Sequence, residues 1–428
     1  MKEKNTESES KYISYDHLDK IGEIAVYYGF IPYKSPVIKK VDIENAKNLL
    51  EGDYIDDEST HSRLPLHVEE KVALLRIYNE ENIQDLFQPA MLYFKEPFKN
   101  SNKKQENRQE KKVGKKHIKG HSHNNDRYCD LEIMGGSKSI AEALLIQTAK
   151  TILIEEGYNN ISVEINSIGD RESINRFTRD LTNHYRKHIN DMHTECRQLL
   201  KKDPFELLSC QNDKCKKINE VAPKSIDFLS ESSRTHFQEV LEYLEALGIP
   251  YIINNSLISN RKYCTETVFA IINNDPNVKN KESKNLAVGT RYDGLAKKIG
   301  LKKEVQGVGI SLLIKNNRGE LRKDIKKVKR PFASFVQLGF ESKLLSLSII
   351  ESLRQAKVPL CLSLARDRLG AQVSAISKNN ISYIIIMGKK EAMEKTVIVR
   401  NINTHSQNMV SIVDLPDYMK KLEKQYKL

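Results

Sequence analysis

No stretch of this chain approaches 18 consecutive apolar residues, so no membrane-spanning helix is expected. The opening residues, MKEKNTESESK, are polar and lack the apolar run of a secretory signal. Cysteine is scarce. Six in 428 residues do not make a disulfide framework, and they read as reduced thiols of a cytoplasmic protein. No internal repeat is visible. These absences leave a globular chain, and 39% hydrophobic with 29% charged residues is a soluble composition. At roughly 150 residues per domain, the length implies two or three domains.

What the chain does have is positive charge. Its 69 Lys+Arg against 57 Asp+Glu leave a formal net charge of +12, which points to polyanionic partners, nucleic acid above all. The excess is concentrated. Residues 99–120 hold nine Lys/Arg and two Glu, a net of +7, with almost no apolar residue to offset the entropy of ordering them. Residues 99–126 are therefore expected to form a flexible basic loop. Lys103, Lys104, Lys111, Lys112, Lys115 and Lys116 are its candidate contacts to RNA phosphates. A solvated linker explains the same charge run equally well.

Residues 1–12 read as a disordered tail. Leu18, Ile21, Ile24, Ala25 and Tyr28 recur at helical spacing over Ser14–Tyr28, and Gly29 closes that helix. The extended segment FIPYKSPVI follows, then a helix over Val68–Tyr78 and the strand-like QPAMLYFKEPF. Beyond the basic loop, CDLEIMGG alternates like a strand, Ile140–Glu155 is a strongly apolar helix, and NISVEINSIG is a strand. Residues 171–248 are long, polar and helical, an inserted module. It carries HxxC at His193/Cys196 and CxxxxC at Cys210/Cys215, chemistry suited to zinc. The second spacing is looser than CxxC, and no metal is assigned.

Strands return with GIPYIINNSLI, KYCTETVFAII, NLAVGTRYDGL and VGISLLI, and residues 316–330 read as a linker. Residues 331–428 alternate strand and helix, as in a small three-layer α/β unit with a largely parallel sheet. Its polar residues Arg366, Arg368 and Gln372 are candidate RNA contacts.

Several of these segments together resemble the histidyl-tRNA synthetase family of class II aminoacyl-tRNA synthetases. INSIGDRES, the run from LSCQNDKC to IPYIINNSLI, GTRYDGL and the C-terminal RLGAQVSAISKNNISYIIIMGKKE all follow its pattern, in its order. The resemblance runs from about Tyr15 to the end. It implies an α+β fold: a six- or seven-stranded antiparallel catalytic sheet with a helical insertion over 13–315, then a small anticodon-binding-like α/β domain over 331–428. It also implies a homodimer, with Pro36 at the dimer-interface motif, and a tRNA or tRNA-like partner without a membrane.

Joining a carboxylate to the α-phosphate of ATP requires arginines, whose planar forks clamp phosphate and keep their charge. At the family's motif-2 arginine this chain has Lys99, followed by Asn100 and Ser101. The histidine-specific L-V-R-G-L-D-Y-Y corresponds to Leu257–Cys264, with Ser259 at the arginine and Cys264 at the second tyrosine. The motif-3 arginine corresponds to Asn316. Lys99 and Arg261 are the remaining candidate catalytic cations. The resemblance assigns histidine binding to Glu69, Tyr128, Glu132, Tyr263, Arg291 and Tyr292; Glu69 is flanked by the altered residues His67 and Lys71. Losing one preorganised charge costs about 10²–10³ in rate. The expectation is thus a tRNA-binding homodimer with impaired or absent aminoacylation and no certain cofactor. A working histidine–tRNA ligase using ATP and Mg is the alternative, and a regulatory subunit of histidine biosynthesis the third reading.

Overall fold

The computed structural model describes residues 18–50, 68–83, 89–95, 99–100, 127–136, 138–210, 212–258, 260, 262–276, 285–314, 331–362, 372 and 381–426. Helices are α1 (Lys20–Tyr27), α2 (Lys40–Leu50), α3 (Val68–Glu80), α4 (Ile140–Glu155), α5 (Arg171–Lys187), α6 (Thr194–Lys202), α7 (Asp213–Glu220), α8 (Glu231–Ala246), α9 (Leu295–Lys298), α10 (Phe340–Gln355), α11 (Lys389–Glu394) and α12 (Leu415–Tyr426). Strands are β1 (Ile31–Pro32), β2 (Val37–Ile38), β3 (Ala90–Phe94), β4 (Lys99–Asn100), β5 (Arg127–Met134), β6 (Ile161–Gly169), β7 (Tyr251–Ile253), β8 (Thr265–Asn273), β9 (Asn285–Arg291), β10 (Gly307–Ile314), β11 (Ala333–Gln337), β12 (Leu360–Leu362), β13 (Tyr383–Met387), β14 (Thr396–Asn401) and β15 (Gln407–Ser411).

The first sheet has eight strands in the order β1-β3-β5-β10-β9-β8-β6-β7. Its six central strands are antiparallel, and β1 and β7 add to the two edges in parallel. The expected antiparallel sheet is therefore present but mixed at its margins, because β1 and β7 are two- and three-residue segments too short for sequence to orient. Alternation along β5 sends Cys129, Leu131 and Ile133 into the large core under α1, α4 and α8. Tyr128, Asp130 and Glu132 thereby fall on the opposite face, toward α3. There a second core gathers α2, α3, α9, Tyr263 and Tyr292.

Helix α4 is buried on nearly every side, as expected of a helix apolar all round. The insertion builds its own small core from Phe177, Leu181 and Tyr185 of α5, packed against α6, α7 and the 3-10 turn Pro204–Ser209. Asp170 caps α5 by accepting from Ser173 N at 2.9 Å.

The C-terminal sheet has the order β12-β11-β13-β14-β15. Only β12, β11 and β13 are parallel; β14 and β15 pair antiparallel as a hairpin, which corrects the largely parallel expectation. β15 and α11 were not read from the sequence, nor was α2, whose polar face is exposed. The unit is not free-standing either. Its α10 shares the large core with α1, α4 and α8, and the Tyr28 hydroxyl donates to Glu351. The tail 1–12, most of the basic loop and the linker 316–330 lie outside the described residues.

Candidate functional site

Three consecutive residues at the start of α3 form one side of a buried polar cluster. Glu69 is half-buried, while Glu70 and Lys71 are buried. Opposite them β5 presents Tyr128, Asp130 and Glu132, and Tyr292 follows directly on β9. The Lys71 ammonium is ion-paired to Glu132, and both side chains are under 5% exposed. It also stands 5.5 Å from the centre of the Tyr292 ring, a cation–π arrangement. The Tyr292 hydroxyl donates to the other Glu132 oxygen at 2.7 Å.

Glycines make this cluster possible. Gly309 lies opposite Glu132 on β10, and a Cβ there would overlap the Glu132 carboxylate. A Cβ at Gly307 would overlap the Tyr292 ring in the same way.

Electrostatics in the cluster follow from burial and crowding. Burial pulls the Lys71 ammonium down, but Glu132 and Asp130 outweigh it and hold the group above the ordinary lysine range. Asp130 is pushed up to about 7 by burial, against the opposing pull of Lys71 and a Ser311 hydrogen bond. Burial and Asp130 likewise raise Glu70 well above the carboxylate range. Near neutral pH the cluster thus holds one ammonium facing Glu132, with its other buried acids disposed to keep their protons.

Of the six residues assigned to histidine binding, the structure brings Glu69, Tyr128, Glu132, Tyr263 and Tyr292 to this one face. Tyr128 contacts Ser311, and the Tyr263 hydroxyl, raised chiefly by burial, feels both Glu69 and Glu70. Arg291 does not join them. Strand alternation turns it to the opposite face, where it is fully buried and donates bidentately to Glu142 of α4, Nε and Nη2 both at 2.7 Å. Its Nη1 also donates to the Gly136 carbonyl at 3.1 Å, and His236 Nε2 lies 2.8 Å from the same carboxylate. Arg291 and His236 outweigh burial and hold Glu142 at about 2. Arg291 is thereby the buried ion-pair partner of Glu142, on the face away from the other five.

Gln372 is buried, its Nε2 donating to the Gln337 carbonyl at 2.9 Å. Lys99 is placed by its backbone alone, pairing with Val37 in a short parallel ladder. Arg261, Arg366, Arg368, Lys103, Lys104, Lys111, Lys112, Lys115 and Lys116 lie outside the described residues.

Sequence reasoning missed Asp130, Glu142 and Lys71 as participants. The alternation of β5 carried the signal for Asp130, which shares a face with Glu132. Lys71 stands two residues beyond Glu69, but only the fold shows its ammonium reaching Glu132.

Comparison with known proteins places these features in context. Residues 337–422 match a family described as "Anticodon binding domain". The chain is 24% identical over 407 residues to histidine–tRNA ligase of Caldanaerobacter subterraneus subsp. tengcongensis, covering 93% of both chains. To the histidine–tRNA ligase of Fervidobacterium nodosum it is 31% identical over 280 residues, 64% of this chain and 65% of that protein. Among solved structures, apo S. aureus histidyl-tRNA synthetase aligns over 94% of both chains at 20% identity and a TM-score of 0.48. The full-length ligase relatives and the matching C-terminal domain agree with the motif order read from the sequence: this chain belongs to the histidyl-tRNA synthetase family.

Proposed function

We propose that this protein is a cytoplasmic, homodimeric, tRNA-binding member of its family whose aminoacylation is impaired or absent. One observation carries the reading. The acidic wall built around Glu132, which the resemblance assigns to the incoming amino acid, is already neutralised by the chain's own Lys71 beneath the Tyr292 ring. A free histidine ammonium would have to displace a buried internal one. That internal ammonium has only its tether to rearrange, whereas a free ligand also gives up translational freedom on binding.

The phosphate side supports the same reading. The arginine forks that clamp ATP in class II enzymes correspond here to Lys99, Ser259 and Asn316, none of which is a fork. These residues therefore do not supply the arginine clamp that ATP requires.

RNA binding rests on the C-terminal match and on the basic run 99–126, with the domain division falling at 316–330. The homodimer rests on Pro36 and on its neighbours Val37 and Val41, which stay 48% and 46% exposed in the single chain. Histidine-dependent ATP–pyrophosphate exchange tests the proposal. The expected result is background exchange in a preparation that still binds tRNA. Exchange above background, abolished by Glu69→Ala, would establish a working ligase instead.

A further inference from the structure

Within the helical insertion, far from the Glu132 cluster in sequence, three cysteines from three different elements converge. Cys196 lies in the first turn of α6, Cys210 follows the 3-10 turn Pro204–Ser209, and Cys215 lies in α7. Their sulfur atoms all lie within 4.8 Å of one another, and Cys196 Sγ stands 3.6 Å from Cys210 Sγ. Cys196 and Cys215 are buried and Cys210 is half-buried.

We propose that this cluster is a structural zinc site, with Cys196, Cys210 and Cys215 as thiolate ligands and His193 as the fourth donor. A tetrahedral ion with Zn–S bonds of about 2.3 Å places its sulfurs about 3.8 Å apart, close to the separation seen here. A disulfide requires sulfurs at about 2.05 Å, far inside the observed distance, and would use only two of the three thiols. The spacing agrees with the geometry. His193-x2-Cys196 and Cys210-x4-Cys215 are two ligand pairs, each separated by the roughly two to four residues typical of structural zinc. His193 precedes α6 by one residue, so it lies about one helical turn from Cys196, and its ring is 55% exposed with Nδ1 3.9 Å from a Glu195 oxygen. The ring lies outside the cluster of three sulfurs, so ligation by His193 requires its side chain to rotate toward them.

The ion also answers a stability problem. The insertion's core is small, twelve buried residues from α5, α6, α7 and their connections, Cys196 and Cys215 among them. Cores of that size are commonly reinforced by a metal or a disulfide. Binding is balanced by protons: Zn²⁺ displaces one from each of the three thiols, and neutral imidazole adds without loss. The ion would tie α6, the 3-10 turn and α7 together at one point.

The test uses the full-length protein purified under reducing conditions without chelator. Elemental analysis is expected to find one zinc per chain, falling to trace levels in Cys215→Ser. Cobalt substitution should give an intense thiolate-to-metal charge-transfer band, with its visible ligand-field bands shifted in His193→Ala. Because a serine variant may simply misfold, alkylation of the unmutated protein provides an independent reading. With zinc present Cys196, Cys210 and Cys215 should be protected, and a chelator should expose them. Half-buried Cys361 should be labelled at the same rate in both conditions. The proposal is overturned if zinc-incubated protein retains no metal, or if chelator leaves the labelling of the three cysteines unchanged.

Discussion

Glu132, Asp130 and Lys71 show how much a single buried contact decides. That CDLEIMGG is an alternating strand was legible in the sequence, and Glu132 was singled out through the family resemblance. What no one-dimensional pattern shows is that α3 delivers a lysine to it, because the two residues lie 61 positions apart and meet only through the sheet. Asp130 lies on the same face, with one oxygen buried and lacking a hydrogen-bond partner among the described residues, and it carries a pH prediction. Its folded pKa of about 7 lies above the ordinary unfolded value of about 3.9. The folded state therefore binds more protons than the unfolded state between those values, so stability falls as pH rises from about 4 to about 7. The loss amounts to a few kcal/mol, since a tenfold change in proton affinity is worth about 1.4 kcal/mol. Asp130→Asn should flatten this slope in urea titrations across that window. An Asn variant with the same slope as the parent would show that Asp130 does not titrate there.

At the scale of elements, the strands most clearly legible were those in which composition and period agreed. β10 sends Val308, Ile310, Leu312 and Ile314 to one core and Gly307, Gly309 and Ser311 to the other face. The two glycines make room for Tyr292 and Glu132. Gly309→Ala should therefore destabilise the chain by about 1–3 kcal/mol, since Glu132 is held by Lys71 and Tyr292 and cannot swing aside freely. A double-mutant cycle with Glu132→Ala locates the cause: the penalty for the methyl should largely vanish once the carboxylate is gone. An unchanged penalty would place the clash elsewhere. The elements that escaped reading share a physical reason. β4 is a two-residue segment defined by its partner, and β15 has three of its five residues exposed.

The whole molecule differs from its sequence reading chiefly in how its parts join. Residues 331–428 read as an independent unit because they alternate strand and helix on their own. In the fold, Glu351 of α10 accepts from Tyr28, Arg354 Nη1 reaches Glu155 at 3.4 Å, and Phe340 stacks edge-on with Tyr243 at 5.4 Å. The C-terminal unit is thus fixed against the first sheet, and any RNA held by it meets the rest of the chain in a set orientation. The net charge of +12 enters at this scale. Each lysine that neutralises an RNA phosphate releases counterions and steepens the fall of affinity with salt, by about 0.7 per phosphate on single strands and about 0.9 on B-form duplex DNA. Replacing Lys103, Lys104, Lys111, Lys112, Lys115 and Lys116 together by serine should weaken tRNA binding at low salt. It should also make the plot of log K against log salt shallower, in proportion to the phosphates that these lysines had neutralised. Filter-binding titrations from 50 to 300 mM salt, roughly the range in which such slopes are read, separate two roles for the basic run. A reduced slope makes it a strap on the RNA. An unchanged slope with unchanged affinity makes it a solvated linker, and leaves RNA recognition to the C-terminal unit.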